Sequence, residues 1–264
     1  MIDRATHGRA FLGTGIALAA LAWLLLWAWA GSPWGRYLEH GDWTRIGIVG
    51  SVCAAIPWGQ SLVPGVLYVA GWMLMLAAMM LPTTLPVLAI LDRMTVRRAD
   101  HGLLVGLAVA GYVTVWAGFG VAAHLADLAL ASGVRQSAWL TFNGWALGAA
   151  VLTLAGLFQF SGLKRRCLER CRTPLGQVMQ HWRGRRPRRE AWGLGLAHGA
   201  FCVGCCWALM LIMFVVGTGN VGWMLLLGLT MAAEKNFPWG RRLSTPLGLG
   251  LIGWGTATVA LNLA

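Results

Sequence analysis

The sequence predicts an all-α protein, a polytopic bundle of membrane-spanning helices, on three observations. Of its 264 residues, 58% are hydrophobic and only 11% are charged, a composition outside the range of ordinary soluble domains. Its 16 Trp and 36 Gly residues are typical of membrane helices, because Trp anchors at the water interface and Gly lets helices approach closely. The third observation is a series of long apolar segments. Intrinsic disorder and a secreted disulfide scaffold are excluded.

Seven apolar segments are candidate spans, judged against the about 20 residues that a spanning helix needs, and six remain if the last two merge. The sixth is the weakest, because it is short and runs directly into Glu234 and Lys235. We treat residues 1–264 as one integral membrane domain. The segments cover residues 10–30, 65–91, 102–126, 138–161, 191–216, 221–233 and 246–263.

The first segment also resembles a secretory signal peptide. Arg4 and Arg9 precede its apolar run, and the small-residue sequence Ala28-Trp29-Ala30 follows it, as at a cleavage site. The run is long for a signal sequence, which favours an uncleaved anchor.

The basic residues define an orientation, because Lys and Arg accumulate on the cytoplasmic side of a membrane. With the N-terminus inside, 18 of the 21 Lys and Arg residues fall in cytoplasmic segments, ten of them between Lys164 and Arg189. Only Arg36, Arg45 and Arg135 lie on the opposite side. We therefore expect a multi-pass protein of the bacterial inner membrane with a cytoplasmic N-terminus.

The net charge of +12 would suggest nucleic-acid binding in a soluble chain, but here it follows the predicted topology. Residues 162–190 are predicted to form a basic cytoplasmic loop, which attracts the anionic headgroups of membrane lipids. Residues 31–64 are predicted to form an exterior interfacial loop. We expect no nucleic-acid partner.

The fifth span carries a stripe of metal-binding side chains. At 100° per residue, His198, Cys202, Cys205, Cys206 and Met213 fall within an arc of about 100° on one helix face. Residues four apart have Cβ atoms about 5–6 Å from one another. A single helix does not easily close a tetrahedral site, so we expect further ligands from facing helices.

Two groups of residues are candidates to complete this site. Cys167 and Cys171 are four residues apart, just beyond the cytoplasmic end of the fourth span, and Met79 and Met80 belong to the second span. In the predicted topology all of them lie in the cytoplasmic half, together with His198. Gly195 and Gly199 of the fifth span also share four-residue spacing, which predicts a close helix contact.

Thiolate, thioether and imidazole ligands favour a soft ion, so Cu(I) is the expected metal and zinc is the alternative. A buried Cys or Met is commonly a packing residue, and for any single Met that interpretation is the stronger one. The clustering of five of the six cysteines favours a metal or redox site instead. Cys53 lies apart and has no predicted role. Disulfides are disfavoured on the reducing cytoplasmic side.

Glu234 and Lys235 end the sixth predicted span. Ionisable groups at membrane depth indicate function by default, although an ordinary helix terminus explains them equally well. At the level of the cysteines, Glu234, with Lys235 beside it, could orient His198 or balance charge around the metal.

Four segments in combination resemble a bacterial domain family described as predicted metal-binding integral membrane proteins. The likeness extends over residues 71–240 and implies metal binding and a membrane location. The segments are Met-Met-Leu-Pro-Thr-Thr-Leu-Pro at 79–86, Leu-Lys-x-x-Cys-Leu-x-x-Cys-Arg-x-Pro at 163–174, His-Gly-x-x-Cys-x-Gly-Cys-Cys-Trp at 198–207 and Glu-Lys-x-x-Pro-x-Gly at 234–240.

Together these features predict an integral membrane protein that binds a soft metal and serves in copper handling or metalloenzyme assembly. Its partner would be a metallochaperone or a membrane complex, with Cys167 and Cys171 as the pair where metal arrives or leaves. Two alternatives stay open. One is an accessory or structural subunit of a larger membrane complex, and the other is a membrane thiol oxidoreductase that uses those two cysteines.

Overall fold

A computed structural model describes residues 4–32, 62–217 and 220–263 of the chain. Within these ranges the protein is helical and contains no strand, which confirms the all-α prediction. Most of the predicted exterior loop, with Cys53, lies outside the described residues. The helices are α1 (Arg4–Ala30), α2 (Leu62–Thr95), α3 (His101–Gln136), α4 (Ala138–Phe142), α5 (Trp145–Gln159), α6 (Gly162–Arg172), α7 (Pro174–His181), α8 (Pro187–Val216), α9 (Val221–Asn236) and α10 (Gly240–Leu263).

Five of the described helices, α1, α2, α3, α8 and α10, are long and apolar enough to cross a membrane. Helices α5 and α6 count as a sixth if they form one broken span, bent by 63°. Helix α9 has 16 residues, which makes it about 24 Å long, shorter than a hydrocarbon core of about 30 Å. The described part therefore supports five or six spans, and the predicted seven are not confirmed.

The segment predicted as a basic loop contains two helices, α6 and α7. The Ser161 side chain accepts a hydrogen bond from the backbone N–H of Lys164 and caps the start of α6. In α6 the buried positions recur at helical spacing and form one face, which packs on α8. Apart from Lys164, the charged residues around this buried face are exposed: Arg165, Arg166, Glu169 and Arg170. The buried residues of α6 are Lys164, Cys167, Leu168 and Cys171.

Helices α3 and α8 make the most extensive contact in the bundle, and glycine makes it possible. A Cβ atom added at Gly195 would fall on the carbonyl oxygen of Ala108, and one added at Gly199 would lie 3.0 Å from Cβ of Val115. The close approach predicted from the spacing of Gly195 and Gly199 is confirmed. It brings Tyr112 of α3 to the cysteine-bearing face of α8.

The largest apolar core cluster is rich in sulfur. It joins side chains from α1, α2, α3, α5, α6, α8, α9 and α10. The described cysteines all belong to it, together with a set of buried methionines. These sulfur-bearing residues are Cys167, Cys171, Cys202, Cys205, Cys206, Met75, Met79, Met80, Met210, Met213, Met224 and Met231.

We predict that Gly195→Ala destabilises the bundle by about 1–3 kcal/mol, because the new methyl group has no space against α3. Gly193→Ala is the matched control, since nothing lies within 4 Å of a Cβ at that position of the same helix. The control should be neutral or slightly stabilising, because Ala favours helix more than Gly does. Thermal unfolding in detergent, followed by circular dichroism, measures both. An equal loss in the two variants would contradict the close contact.

Candidate metal centre

Helix α8 places three thiols around one backbone carbonyl. Cys202, Cys205 and Cys206 are at most 2% exposed. The Cys205 and Cys206 thiols donate hydrogen bonds to the carbonyl oxygen of Cys202, at 3.1 and 2.7 Å. Positions three and four residues apart on a helix face the same side, so the chain needs only helical geometry to gather these sulfur atoms.

Two neighbouring helices bring further sulfur atoms to this face. Sγ of Cys171, on α6, lies 3.9 Å from Sγ of Cys205. Sδ of Met80, on α2, lies 4.0 Å from Sγ of Cys202. Two sulfur atoms bound to one ion at about 2.3 Å are about 3.8 Å apart in tetrahedral geometry and about 4.0 Å apart in trigonal geometry. Each pair therefore has the spacing of two ligands to a single metal ion.

The amino group of Lys235 lies among these sulfur atoms. Its Nζ is 2.9 Å from Sγ of Cys202, 4.0 Å from Sγ of Cys206 and 3.4 Å from the hydroxyl oxygen of Thr83. The side chain is buried, and none of these three partners is a carboxylate. The buried ammonium group therefore has thiol and hydroxyl partners here, and a buried charge without a counter-charge is costly.

Tyr112 links the cysteines to His198. Its hydroxyl lies 3.1 Å from Sγ of Cys202, and its ring stacks on the imidazole of His198 with the centroids 5.6 Å apart. Cys202 is thus contacted by side chains of α2, α3 and α9, which makes it the most connected thiol of the group.

Within the described part of the chain, the imidazole of His198 has a hydrogen-bond partner at one ring nitrogen and none at the other. Nδ1 lies 2.8 Å from Oε1 of Gln177 on α7. With Nδ1–H donating to that oxygen, Nε2 keeps its lone pair. Nε2 is buried, and no hydrogen-bond partner for it exists among the described residues. A second hydrogen bond that orients the ring is the usual companion of a metal-binding histidine, so this nitrogen fits the role of a ligand.

Some predicted ligands lie apart from these contacts. The sulfur of Cys167 packs on Gly204 of α8, where an added Cβ would be 2.6 Å away, and Cγ of Met79 faces Gly228 of α9. In the three described ranges, no group of three or more His, Cys, Asp or Glu side chains is placed to hold a metal ion. The centre therefore consists of sulfur pairs between helices rather than a closed four-ligand cage.

Glu234 takes part in a different interaction from the predicted one. Both of its carboxylate oxygens accept hydrogen bonds from Nζ of Lys164, at 2.7 and 2.9 Å, and one accepts from the hydroxyl of Ser244 at 2.7 Å. The Lys164 amino group also contacts Oε1 of Gln159. Gln177, and not Glu234, orients His198.

Sequence reasoning missed three residues of this region. Lys164 stands in the Leu-Lys-x-x-Cys segment that carries the family resemblance, so a signal for it was present. Gln177 lies in a stretch predicted as a loop, and Tyr112 lies in an apolar span. Neither has a pattern that singles it out, because their roles arise only where α3 and α7 meet α8.

The comparisons with known proteins give one family. No curated protein and no solved structure matches the chain. A family model, PpoB2, described as a copper chaperone, matches residues 69–258. The matched range is more than half of the chain and contains Met80, Cys171, His198, the α8 cysteines and Lys235. It supports a copper-related family, although not the one that the sequence analysis named. The chain belongs to the PpoB2 family of copper chaperones.

Proposed function

We propose that this protein is an integral membrane copper chaperone that holds Cu(I) at the sulfur pairs between α8 and its neighbours. The observation that carries the proposal is the position of Cys171 and Met80, whose sulfur atoms lie 3.9 and 4.0 Å from thiols of α8. Copper is the cargo, received from a donor and passed to an acceptor such as a metalloenzyme under assembly.

The donor set favours Cu(I) over zinc. Thiols and a thioether are soft ligands, which select Cu(I). Structural zinc sites are almost always closed by four ligands in a tetrahedron, whereas the described residues present sulfur atoms in pairs. Cu(I) accepts fewer ligands than that, so a pair with one further donor, such as Nε2 of His198, is sufficient.

The positive charge of Lys235 also favours Cu(I) over zinc. Thiol ligands bind metal as thiolates, so one Cu(I) held by the two thiolates of the Cys171–Cys205 pair carries a net charge of minus one. The ammonium group of Lys235 lies in the same group of sulfur atoms, 2.9 Å from Sγ of Cys202, and balances that charge. A divalent ion in the same place would leave an uncompensated positive charge in a buried environment, which is unfavourable.

Exposed apolar helices support a membrane location. Trp27 of α1 is 71% exposed and Leu261 of α10 is 80% exposed, and such surfaces on a folded protein indicate contact with a membrane or a partner. The charge distribution in the sequence favours the bacterial inner membrane with the N-terminus inside. Near the start of α1, Gly8 lies beside the side chain of Arg93 at the end of α2, so basic residues of both helices share one end of the bundle.

The burial of the thiols suggests where copper is exchanged. Cys167 and Cys171 of α6 are 9% and 8% exposed, whereas Cys202 is fully buried. We propose that copper arrives or leaves through α6, passes to Cys171 and reaches α8 through Cys205. A soluble metallochaperone or a membrane complex is the expected partner.

The structure favours copper binding over thiol exchange at Cys167 and Cys171. Thiol exchange requires a substrate sulfur atom to reach the catalytic sulfur itself, and the small exposed fraction of Cys167 and Cys171 suits the passage of a single ion better than that direct attack. In an accessory subunit these cysteines would serve only for packing, so retention of Cu(I) by the α8 thiols distinguishes the copper chaperone from that alternative.

The first test removes the α8 thiols. We expect Cys202→Ser/Cys205→Ser/Cys206→Ser to retain about tenfold less Cu(I) than the wild type, or less still. The reason is that serine hydroxyls are poor ligands for this ion. Metal analysis after anaerobic loading of the detergent-purified protein measures the content. Cys53→Ser is the control, since it removes a thiol with no predicted role. A wild type that retains neither Cu(I) nor zinc would refute the proposal.

Adjacent methionines provide the second test. Met80→Leu removes the sulfur that faces Cys202 and should weaken Cu(I) binding about tenfold, equivalent to about 1.4 kcal/mol. Met79→Leu changes a neighbour that faces Gly228 and should alter the affinity by less than about twofold. Competition with a chromogenic Cu(I) chelator measures both. Equal effects in the two variants would show that Met80 is a packing residue.

The third test concerns the choice of metal. Lys235→Leu removes the buried charge and adds no metal ligand, and we expect the ratio of Cu(I) to Zn(II) affinity to fall about tenfold. Without the ammonium group, a site with one divalent ion and two thiolates is neutral, whereas the same site with Cu(I) keeps a net charge of minus one. Arg166→Gln removes a positive charge from the exposed face of α6 and should leave the ratio unchanged. A parallel loss for both ions in Lys235→Leu would contradict the charge-balance argument.

A further inference from the structure

A cavity of about 550 Å³ opens between the α5–α6 bend and the start of α10. It is separate from the sulfur pairs and takes no part in the proposed copper route. Its lining combines three guanidinium groups with amide, hydroxyl and apolar side chains. The lining residues are Gln159, Phe160, Arg165, Leu168, Pro238, Arg241, Arg242, Ser244 and Thr245.

The cavity has an excess of positive charge. The guanidinium group of Arg241 pairs with Glu169, with Nη2 3.2 Å from Oε1. Arg165 and Arg242 are exposed and form no ion pair with a carboxylate of the described residues. Two guanidinium groups therefore face the cavity without a counter-charge, and guanidinium groups bind phosphate in bidentate geometry.

The polar groups at the base of the cavity do not supply that counter-charge. Gln159 contacts the Lys164 amino group, and Ser244 donates to Glu234. The Lys164–Glu234 ion pair beneath them is neutral as a unit and buried. A negatively charged ligand in the cavity would supply the counter-charge that these groups lack.

The surroundings of the cavity are amphipathic. Phe160 in the cavity wall is 40% exposed. Helices α5 and α10 extend away from the cavity and carry the exposed apolar side chains of Leu157 and Leu249. On the other side, Phe237 and Trp239 flank Pro238; their rings stack 5.1 Å apart, and both are about half exposed. Aromatic residues of this kind mark the level of the headgroups in a membrane.

We propose that this cavity binds the phosphate-bearing headgroup of an anionic membrane lipid. The guanidinium groups of Arg165 and Arg242 hold the phosphate, and the acyl chains follow the apolar surfaces of α5 and α10. Basic pockets between spans on the cytoplasmic side are known sites for such headgroups. The inference rests on the membrane location proposed above and is independent of the metal.

The test compares lipid retention by two charge-matched variants. The full chain is purified from nanodiscs that contain a mixture of phosphatidylglycerol and phosphatidylcholine, and native mass spectrometry counts the lipids that remain bound. We expect wild type to retain phosphatidylglycerol preferentially. Arg165→Gln/Arg242→Gln should reduce that preference about tenfold. Arg185→Gln/Arg186→Gln removes the same charge from exposed positions outside the cavity and should leave the preference intact.

Each outcome has one interpretation. Equal losses in both variants would mean a general attraction of lipid to basic surface and would overturn the proposal. Displacement of the lipid by millimolar inorganic phosphate, at about equal affinity, would identify the cavity as a site for free phosphate. Cu(I) retention is measured on the same samples. A variant that loses lipid but keeps Cu(I) supports the lipid site, whereas failure of wild type to bind Cu(I) affects only the proposed function.

Discussion

The proposed copper centre depends on two consecutive residues at the end of α9 that bury opposite charges. Glu234 binds Lys164 of α6 at 2.7 Å, and Lys235 binds Cys202 of α8 at 2.9 Å. Taking both charges out of water is costly unless each finds a partner. Removing one partner of a buried ion pair costs about 3–5 kcal/mol, so the Glu234–Lys164 contact strongly constrains α6. That constraint is what keeps Cys171 of α6 opposite Cys205.

An arrangement of sulfur pairs suits transfer better than a closed cage does. A chaperone has to hold its cargo against release and still give it up to an acceptor. Four ligands around one ion would have to be displaced together, whereas a pair such as Cys171 and Cys205 can yield one ligand while the next sulfur binds. The two pairs share α8, and Cys202 and Cys205 are three residues apart on it. In the proposed function, an ion would move along this helix face by exchanging one ligand at a time.

Helical periodicity made part of this centre predictable. The stripe of Cys202, Cys205 and Cys206 depends only on spacing within one helix, and the structure buries all three. The interpretation of residues 162–190 as a loop was incomplete, because its many charges obscured a buried face that recurs at helical spacing. The choice of Gln177 over Glu234 as the partner of His198 depends on how α7 and α9 approach α8, and no local pattern encodes that approach. The seven predicted spans are not confirmed because local sequence also does not show where helices stop. Helix α9 is short, and the fourth predicted span is broken near Asn143.

The depth of the thiols limits how copper can be exchanged. Cys202, Cys205 and Cys206 are almost completely buried, and among the cysteines that the structure describes the least buried are those of α6. In the proposed route an acceptor approaches from the side of α6, a helix of 11 residues that begins at a capped bend after Ser161. The guanidinium group of Arg172 also binds the backbone carbonyl of Glu234, so α6 is attached to α9 at both of its ends. Helix α9 also carries Lys235. A displacement of α6 that separates Cys171 from Cys205 would therefore also move the ammonium group that balances the charge of the bound ion.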